Sequence, residues 1–185
     1  MHVMSSYDVL RQRYRPGHIR FLLVAESPPP AAEISSSRHF YRSEMVQIDD
    51  RLFTNTMRAL YPEAIGLSEG ELEKAKEQWL RRFQADGWYM IEALEASLQH
   101  HVTKPQRQAR IKDHLDRLIK RVKKLAMVDT KIILVKSNVF EVAAEPLRRA
   151  GFSVLNSELL DYPGHFNQRA YREKLTAMVV AANKK

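Results

Sequence analysis

Short uninterrupted runs of apolar residues alternate along the chain with segments in which apolar residues recur every three or four positions. The uninterrupted runs predict strands buried on both faces of a sheet: IRFLLVA (19–25), WYMIEAL (88–94), KIILVKS (131–137) and FSVLN (152–156). The periodic segments predict amphipathic helices over 7–14, 49–60, 69–83, 104–125, 139–149 and 168–181. Because strands and helices alternate, we predict a single α/β domain over 1–185, a three-layer α/β/α fold with a four-stranded parallel sheet.

Local signals mark where some helices begin and where the first strand ends. Ser68 with Glu71, and Asn138 with Glu141, have the spacing of capping boxes at helix N-termini. Three prolines at 28–30 follow the first strand and cannot continue a hydrogen-bonded ladder, so the chain must leave the sheet there. The loop that follows extends to about residue 48, and a loop of that length in a compact domain is typically functional or mobile.

The strand ends carry the polar residues of a candidate site. In parallel α/β sheets, ligands bind beyond the carboxyl ends of the strands. The segments at these four ends contain ionisable or hydroxyl side chains: AESPPP (25–30), EALEAS (92–97), KSN (136–138) and LDYPGHF (160–166). We therefore expect a binding site built from these segments at one edge of the sheet.

Composition excludes several classes of site. The chain has no cysteine, which excludes disulfides, thiolate zinc sites and cysteine nucleophiles. Its seven histidines form no HExxH motif, no glycine-rich phosphate loop follows the first strand, and GxSxG is absent. No apolar run approaches the roughly 20 residues that span a bilayer, and the first residues lack an apolar signal core. We expect a cytoplasmic protein that binds no metal ion and contacts no membrane.

Positive charge is concentrated in one segment. Residues 104–124 contain nine Lys or Arg against Asp113 and Asp116, and so carry +7 of the net charge of +8. A concentration of this kind is expected of a surface that faces a polyanion. The alternative interpretation is a solvated helix face that happens to be basic.

The order of the motifs resembles a known superfamily. A strand ending in an acidic, proline-containing motif (AESPPP) is followed by a long loop with aromatic residues (HFYRS), a second strand with a polar residue near its end, and a proline-containing loop (YPGHF) before the last helix. Over residues 19–180 this order resembles the uracil-DNA glycosylase superfamily. The resemblance implies a uracil-DNA glycosylase-like fold, DNA as the partner, and hydrolysis of a damaged or deaminated base flipped out of the DNA. It implies no metal and no organic cofactor, and we expect a monomer.

The resemblance assigns catalytic roles to the first and last strand ends. Glu26 and Pro28 match the family's first motif, with Ser27 in the place of the residue that positions the attacking water. Glu26 would stabilise the positive charge that develops on the sugar, or it would only fix the loop by accepting backbone N–H groups. In the last loop, the hydroxyl of Tyr162 or the ring of His165 would stabilise negative charge on the departing base.

The resemblance also implies residues that bind the flipped base. Phe40 or Tyr41 corresponds to the aromatic residue on which the base stacks, although an aromatic residue in a long loop often only anchors that loop to the core. Glu92 lies where the family has an amide that reads uracil. An ionised carboxylate accepts hydrogen bonds but donates none. Glu92 is therefore protonated, or prefers a base with an amino group, or reads no base.

Residues around the predicted site would contact DNA outside the flipped base. Phe166 corresponds to an apolar wedge that enters the duplex, with Asn167 beside it. Cationic side chains in the same loops would bind phosphates: Arg38, Arg42, Lys104 and Arg107.

Two other functions remain open. The first keeps the fold and the nucleic-acid binding but lacks catalysis. The second is a small-molecule hydrolase or binder that uses Glu26, Glu92 and His165 in a pocket at the end of the sheet. For His165, a surface or helix-capping position is an equally good interpretation.

Overall fold

The computed structural model describes residues 6–29, 39–44, 49–98 and 101–184. Within these ranges the chain forms one four-stranded parallel sheet flanked by helices, which confirms the predicted three-layer α/β/α fold. The strands are β1 Phe21–Ala25, β2 Trp88–Glu92, β3 Lys131–Leu134 and β4 Ser153–Val154. The helices are α1 Ser6–Gln12, α2 Arg51–Leu60, α3 Glu69–Lys74, α4 Lys76–Ala85, α5 Lys104–Asp113, α6 Leu115–Leu125, α7 Ser137–Arg149 and α8 Gln168–Asn183, with a 3-10 turn at Pro62–Ala64.

The strand order β2-β1-β3-β4 determines where the helices lie. The chain moves from β1 to one edge of the sheet at β2, then crosses back past β1 to β3. Because crossovers between parallel strands are right-handed, these two connections lie on opposite faces of the sheet. Helices α2 to α4 therefore cover one face, where α8 packs on α2, and α5 and α6 cover the other, where α7 packs on α5.

Strands β1 and β2 are buried along their whole length, as their uninterrupted apolar runs predict. Every residue of β1 and β2 is buried, and Phe21 stacks on Trp88 with ring centroids 4.3 Å apart. The two strands pair in register from Phe21 with Trp88 to Ala25 with Glu92. Glu92, the last residue of β2, therefore lies directly beside Ala25, the residue before Glu26, on the neighbouring strand.

The fourth strand is shorter than predicted because a side chain replaces part of its backbone pairing. Only Ser153 and Val154 form the strand, within the apolar run 152–156. The buried amide of Asn156 then accepts from the N–H of Leu134 at 2.7 Å and donates to its C=O at 2.9 Å. The edge of β3 is thereby hydrogen-bonded beyond the point where β4 ends.

The basic segment forms two helices instead of the single helix predicted. α5 ends and α6 begins at His114, whose backbone leaves the helical conformation with φ −103° and ψ 7°. The predicted apolar stripe is nevertheless directed inward on both helices: Ile111, Leu118 and Val122 are buried, and Leu115 and Leu125 pack against the core.

Of the two predicted capping boxes, one is confirmed and one is wrong. Ser68 and Glu71 form a reciprocal capping box at the start of α3. Asn138 caps nothing, because α7 begins one residue earlier at Ser137 with Lys136 as its N-cap. The amide of Asn138 is instead used in the site described below.

None of the helices in the described part of the chain is long and apolar enough to cross a bilayer.

Candidate functional site

A cavity of about 420 Å³ opens at the carboxyl ends of β1, β2 and β3. The sequence places its candidate site at this edge of the sheet, and seven of the predicted residues line the cavity. They are Glu26, Ser27, Pro28, Phe40, Glu92, Arg107 and Tyr162.

The strand connections explain why a cavity forms here. After β1 the chain continues to the layer of α2 to α4, whereas after β2 and β3 it continues to the opposite layer. The connections leave in opposite directions, which separates the chain segments above neighbouring strands and creates a crevice. Glu26 directly follows β1 and Lys136 follows β3, so their side chains face each other across this crevice.

Glu26 is a buried carboxylate that accepts hydrogen bonds from three side chains. Its Oε2 accepts from Arg107 at 2.8 Å and from Lys136 at 2.5 Å, and its Oε1 accepts from the Asn138 amide at 2.5 Å. Burial raises the pKa of Glu26, but the hydrogen bonds from Lys136 and Asn138 and the nearby positive charges outweigh it, so the net pKa is lowered. The carboxylate is therefore ionised at neutral pH, and Oε1 keeps one acceptor position.

Lys136 holds its position through an unusual backbone conformation. Its φ is +83°, a left-handed value that costs free energy for a residue with a side chain. The Lys136 N–H donates to the C=O of Leu160 at 2.7 Å, which ties the end of β3 to the last loop. Strain of this kind persists only where surrounding contacts require it, and here it directs the ammonium group toward Glu26.

Glu92 forms a second buried carboxylate centre. Its Oε2 accepts from Arg11 of α1, and its Oε1 lies 3.6 Å from Nε2 of His39. Burial raises the pKa of Glu92, but the charge of Arg11, with a smaller contribution from His39, brings the net pKa below its ordinary value. Glu92 is therefore ionised, which leaves two of the three sequence-based interpretations and removes the protonated one.

Ser27 lines the same cavity as the two carboxylate centres. Its side chain is half-buried and makes no hydrogen bond to any described residue. The following turn is fixed at Pro29, whose C=O accepts from the hydroxyls of Tyr7 at 2.6 Å and Ser97 at 2.5 Å. The Ser27 hydroxyl is thus held at the cavity wall with its hydrogen-bonding capacity unused by the described part of the chain.

The two candidate aromatic residues have different positions. Phe40 lines the cavity and also packs on Phe53 and Phe83, so its ring forms a rigid apolar wall. Tyr41 is fully buried away from the cavity, and its hydroxyl accepts from the N–H of Met90 at 2.6 Å. Tyr41 therefore cannot stack a ligand in this arrangement, and its role is to anchor the loop to β2.

The last loop contributes Tyr162 to the cavity but not His165. Tyr162 lines the cavity and is 42% exposed, so it lies near the opening. His165 is exposed and outside the cavity lining, with its ring 6.5 Å from that of Phe166. Phe166 is 99% exposed, and Asn167 is the exposed N-cap of α8.

The candidate phosphate-binding residues that the structure describes do not form one common surface. Arg38 lies outside the described residues. Arg42 lies 3.7 Å from Glu44, and Lys104 pairs with Glu141 at 2.8 Å. Arg107 is directed inward to Glu26, so its guanidinium organises the cavity.

The exposed face of α5 and α6 carries cations without acidic partners. Six cationic side chains are exposed on these helices, and within the described ranges no carboxylate forms an ion pair with them: Arg110, Lys112, Arg117, Lys120, Lys123 and Lys124. Arg121 on the same helix is directed inward and donates to the C=O of Glu92 at 3.0 Å. We call the six exposed residues the basic face.

Four residues of the site were not predicted from the sequence. His39 directly precedes the candidate aromatic pair, Arg11 lies in a predicted helix, and Asn138 was predicted only to cap the helix that follows it. Lys136 lies in the strand-end segment KSN, which was expected to border the site, but the sequence predicts no specific role for Lys136 itself. The position of His39 next to a candidate aromatic residue is the one local signal that points to the site.

The described residues contain no group of three or more metal-ligating side chains that could hold a metal ion. Comparisons with family models, with curated proteins and with solved structures find no match to this chain. The resemblance to the uracil-DNA glycosylase superfamily therefore stays a prediction.

Proposed function

We propose that this protein binds DNA and takes a single unstacked base into the cavity, where it hydrolyses the N-glycosidic bond as a DNA glycosylase does. The observation that carries the proposal is one cavity that combines an apolar aromatic wall, Phe40, with the polar groups of Ser27, Glu26 and Glu92. Its volume of about 420 Å³ lies within the roughly 300–1,000 Å³ of small-ligand sites. A nucleobase needs such a flat wall together with hydrogen bonds at its edge.

The basic face supports the nucleic-acid part of the proposal. α5 begins beside the cavity, where Arg107 contacts Glu26, and the basic face continues from there along α5 and α6. Unpaired cations on one surface attract the phosphate backbone without reading sequence. A nucleotide held in the cavity would then belong to a strand whose flanking phosphates lie against this face.

The proposed reaction needs only residues of the cavity. Ser27 orients a water molecule toward C1′ of the sugar, and the negative charge of Glu26 stabilises the positive charge that develops there. The bond between C1′ and the base nitrogen breaks, the water oxygen bonds to C1′, and the water proton leaves with the base. The products are a free base and an abasic sugar. Tyr162, which lines the cavity near its opening, would donate to the departing base.

One observation favours a second candidate, a protein of the same fold that binds a base without hydrolysing it. Glu26 already accepts three hydrogen bonds, two of them from cations, so much of its charge is neutralised. His165, the other candidate catalytic residue, lies outside the cavity. A base would then be held and inspected while its glycosidic bond stays intact.

A base-release assay tests the proposal and separates the two candidates. Purified protein is incubated with duplex and single-stranded DNA that contains uracil, hypoxanthine, xanthine or a mismatched base, and abasic sites are then cleaved with alkali. Cleavage at the modified position supports the glycosylase. Salt-dependent binding without cleavage on any substrate supports the second candidate, and the lack of DNA affinity at low salt contradicts both.

The compartment belongs to the same proposal. We propose a cytoplasmic location, with which a chain without cysteine is compatible, because the cytoplasm is reducing.

A further inference from the structure

A buried hydrogen-bond donor and a buried acceptor face each other in the cavity without forming a hydrogen bond. Nε2 of His39 and Oε1 of Glu92 are 3.6 Å apart, beyond the usual N–H···O range of about 2.7–3.2 Å. Both side chains line the cavity, with 3% of His39 and 5% of Glu92 exposed. Nε2 of His39 has no hydrogen-bond partner among the residues that the structure describes. Buried polar groups are normally satisfied, so this pair indicates a site for a ligand.

The hydrogen bonds that His39 and Glu92 already make within the protein determine which of their atoms are left to bind a ligand. Nδ1 of His39 accepts from the N–H of Tyr41 at 3.3 Å, so the neutral ring carries its proton on Nε2. Oε2 of Glu92 is occupied by Arg11, whereas Oε1 accepts no hydrogen bond from the described residues. The cavity therefore presents one donor next to one acceptor.

Surrounding contacts fix the His39 ring in this orientation. The ring packs against Tyr7, with centroids 4.9 Å apart. Its backbone C=O accepts from Lys76 at 3.2 Å, and Lys76 is itself paired with Asp50 at 2.8 Å. A donor held in this way discriminates well between ligands, because it cannot turn to satisfy the wrong partner.

We propose that His39 and Glu92 together read a ligand edge on which an N–H group is adjacent to a carbonyl oxygen or a ring nitrogen. Glu92 accepts from the N–H, and His39 donates to the neighbouring acceptor. The unmodified Watson–Crick edges of uracil, guanine, cytosine and adenine all have this arrangement. The inference rests on the proposed function, since it names the chemistry by which the same cavity would bind a base.

This pairing removes an objection that the sequence raises. An ionised carboxylate only accepts, whereas uracil presents both an N–H and a carbonyl oxygen. His39 supplies the missing donor, so the base need not carry an amino group. Bases whose ring N–H is methylated are rejected, because the methyl group removes the donor and leaves Glu92 without a partner.

Methylated free bases test the edge directly without changing the protein. Binding of 1-methyluracil, 1-methylcytosine, 9-methyladenine and 9-methylguanine to the full chain is measured by NMR titration at millimolar concentration. In these probes methylation stands in for the sugar. 1,3-Dimethyluracil is the matched probe for 1-methyluracil, because it differs only in the blocked N–H. We expect at least one of the four bases to bind, and for 1-methyluracil we expect the dimethyl probe to bind at least tenfold more weakly.

Variants at His39 supply the complementary test. His39→Gln keeps an N–H near the position of Nε2 and should retain most of the affinity, whereas His39→Leu should lose about tenfold or more. Arg169→Ala, at an exposed position of α8, is the control and should bind like the unchanged protein.

The outcomes separate the inference from the proposed function. Equal affinity for 1-methyluracil and its dimethyl counterpart, or unchanged affinity in His39→Leu, would overturn the proposal that His39 and Glu92 bind this edge of the base. The glycosylase proposal would still stand. Failure of all four bases to bind would also overturn the proposal for His39 and Glu92. The base-release assay then decides independently whether the proposed function fails as well.

Discussion

Arg107 of α5 and Glu26 at the end of β1 form a 2.8 Å ion pair between residues 81 positions apart in the chain. The guanidinium also donates to the C=O of Val102 at 2.9 Å, so two of its nitrogen atoms are hydrogen-bonded inside the protein. This pair attaches the start of the basic segment to the tip of the first strand. Arg107 consequently shapes the cavity, in contrast to the phosphate contact that its sequence position predicts.

Replacing Arg107 should therefore affect stability more than DNA binding. In Arg107→Ala, Glu26 loses one charged hydrogen bond but keeps Lys136 and Asn138, so we expect a loss of about 1.5–3 kcal/mol in the free energy of unfolding. Urea denaturation measures this loss. Arg149→Ala, which removes an exposed pair with Glu145, should cost no more than about 0.5 kcal/mol. Equal stability of the two variants would contradict the assignment of Arg107.

The basic face should determine the salt dependence of DNA binding. Arg117, Lys120 and Lys124 are spaced three and four residues apart on α6 and therefore share one side of that helix. Replacing all three by Gln should reduce the slope of log affinity against log salt by about 2–3 for duplex DNA, because each phosphate that is no longer neutralised lowers it by about one. Filter binding or fluorescence anisotropy at several salt concentrations measures the slope.

Two comparisons make the salt experiment specific. Arg149→Gln combined with Arg169→Gln removes exposed cations elsewhere and should leave the slope unchanged. Arg107→Ala should also leave it nearly unchanged, because its charge already faces Glu26. A slope that falls equally in all variants would show that net charge, and no particular surface, binds the DNA.

The buried Glu92 should make the protein lose stability in acid. Burial raises its pKa, but the charge of Arg11, together with smaller contributions from His39 and Arg121, brings the pKa in the folded protein below the ordinary value of 4.5. The ionised form therefore stabilises the folded state above about pH 4.5, and this stabilisation is lost as the pH falls through the folded-state pKa. In Glu92→Gln we expect a flatter decline of the unfolding free energy between pH 5 and pH 3 than in the unchanged protein.

Urea denaturation across this pH range measures the difference. Glu145→Gln, at an exposed position, is the matched control and should follow the unchanged protein closely. At neutral pH, Glu92→Leu should cost about 3–5 kcal/mol, because it leaves the buried Arg11 without one of its anionic partners. Parallel acid curves for the unchanged protein and Glu92→Gln would contradict the ion pair.

The architecture was predictable because it depends on local patterns. The uninterrupted apolar runs identify strands covered on both faces, and the alternation of strands with helices fixes a parallel sheet. Once the sheet is parallel, the strand ends must converge at one edge, so Glu26, Glu92 and Tyr162 were placed together without knowledge of any contact. The same reasoning extends to Ser27, whereas Phe40 was implied by the resemblance to the uracil-DNA glycosylase superfamily.

The partners of these residues were not predictable, because they come from distant parts of the chain. Asn138 resembles a capping residue, yet its amide binds Glu26, 112 positions away, and the helix begins elsewhere. Arg11 reaches Glu92 across 81 positions from a short helix that no sequence motif connects with the site. For Asn138 a long-range contact overrides a local preference, whereas Arg11 keeps its predicted helical position and only its partner was not predictable. The break at His114 escaped detection for a different reason, since the apolar stripe continues across it.

Replacing Ser27 is the most direct way to separate hydrolysis of the base from DNA binding. Its hydroxyl lines the cavity and has no partner among the described residues, so Ser27→Ala should leave the free energy of unfolding within about 0.5 kcal/mol of the unchanged protein. If Ser27 orients the attacking water, the single-turnover rate of base release should fall about a hundredfold or more, while DNA affinity stays the same. Ser27→Thr, which keeps the hydroxyl, should retain more of the rate than Ser27→Ala. Undiminished base release by Ser27→Ala would mean that another group positions the water, and the unused acceptor position on Oε1 of Glu26 would then become the next site to alter.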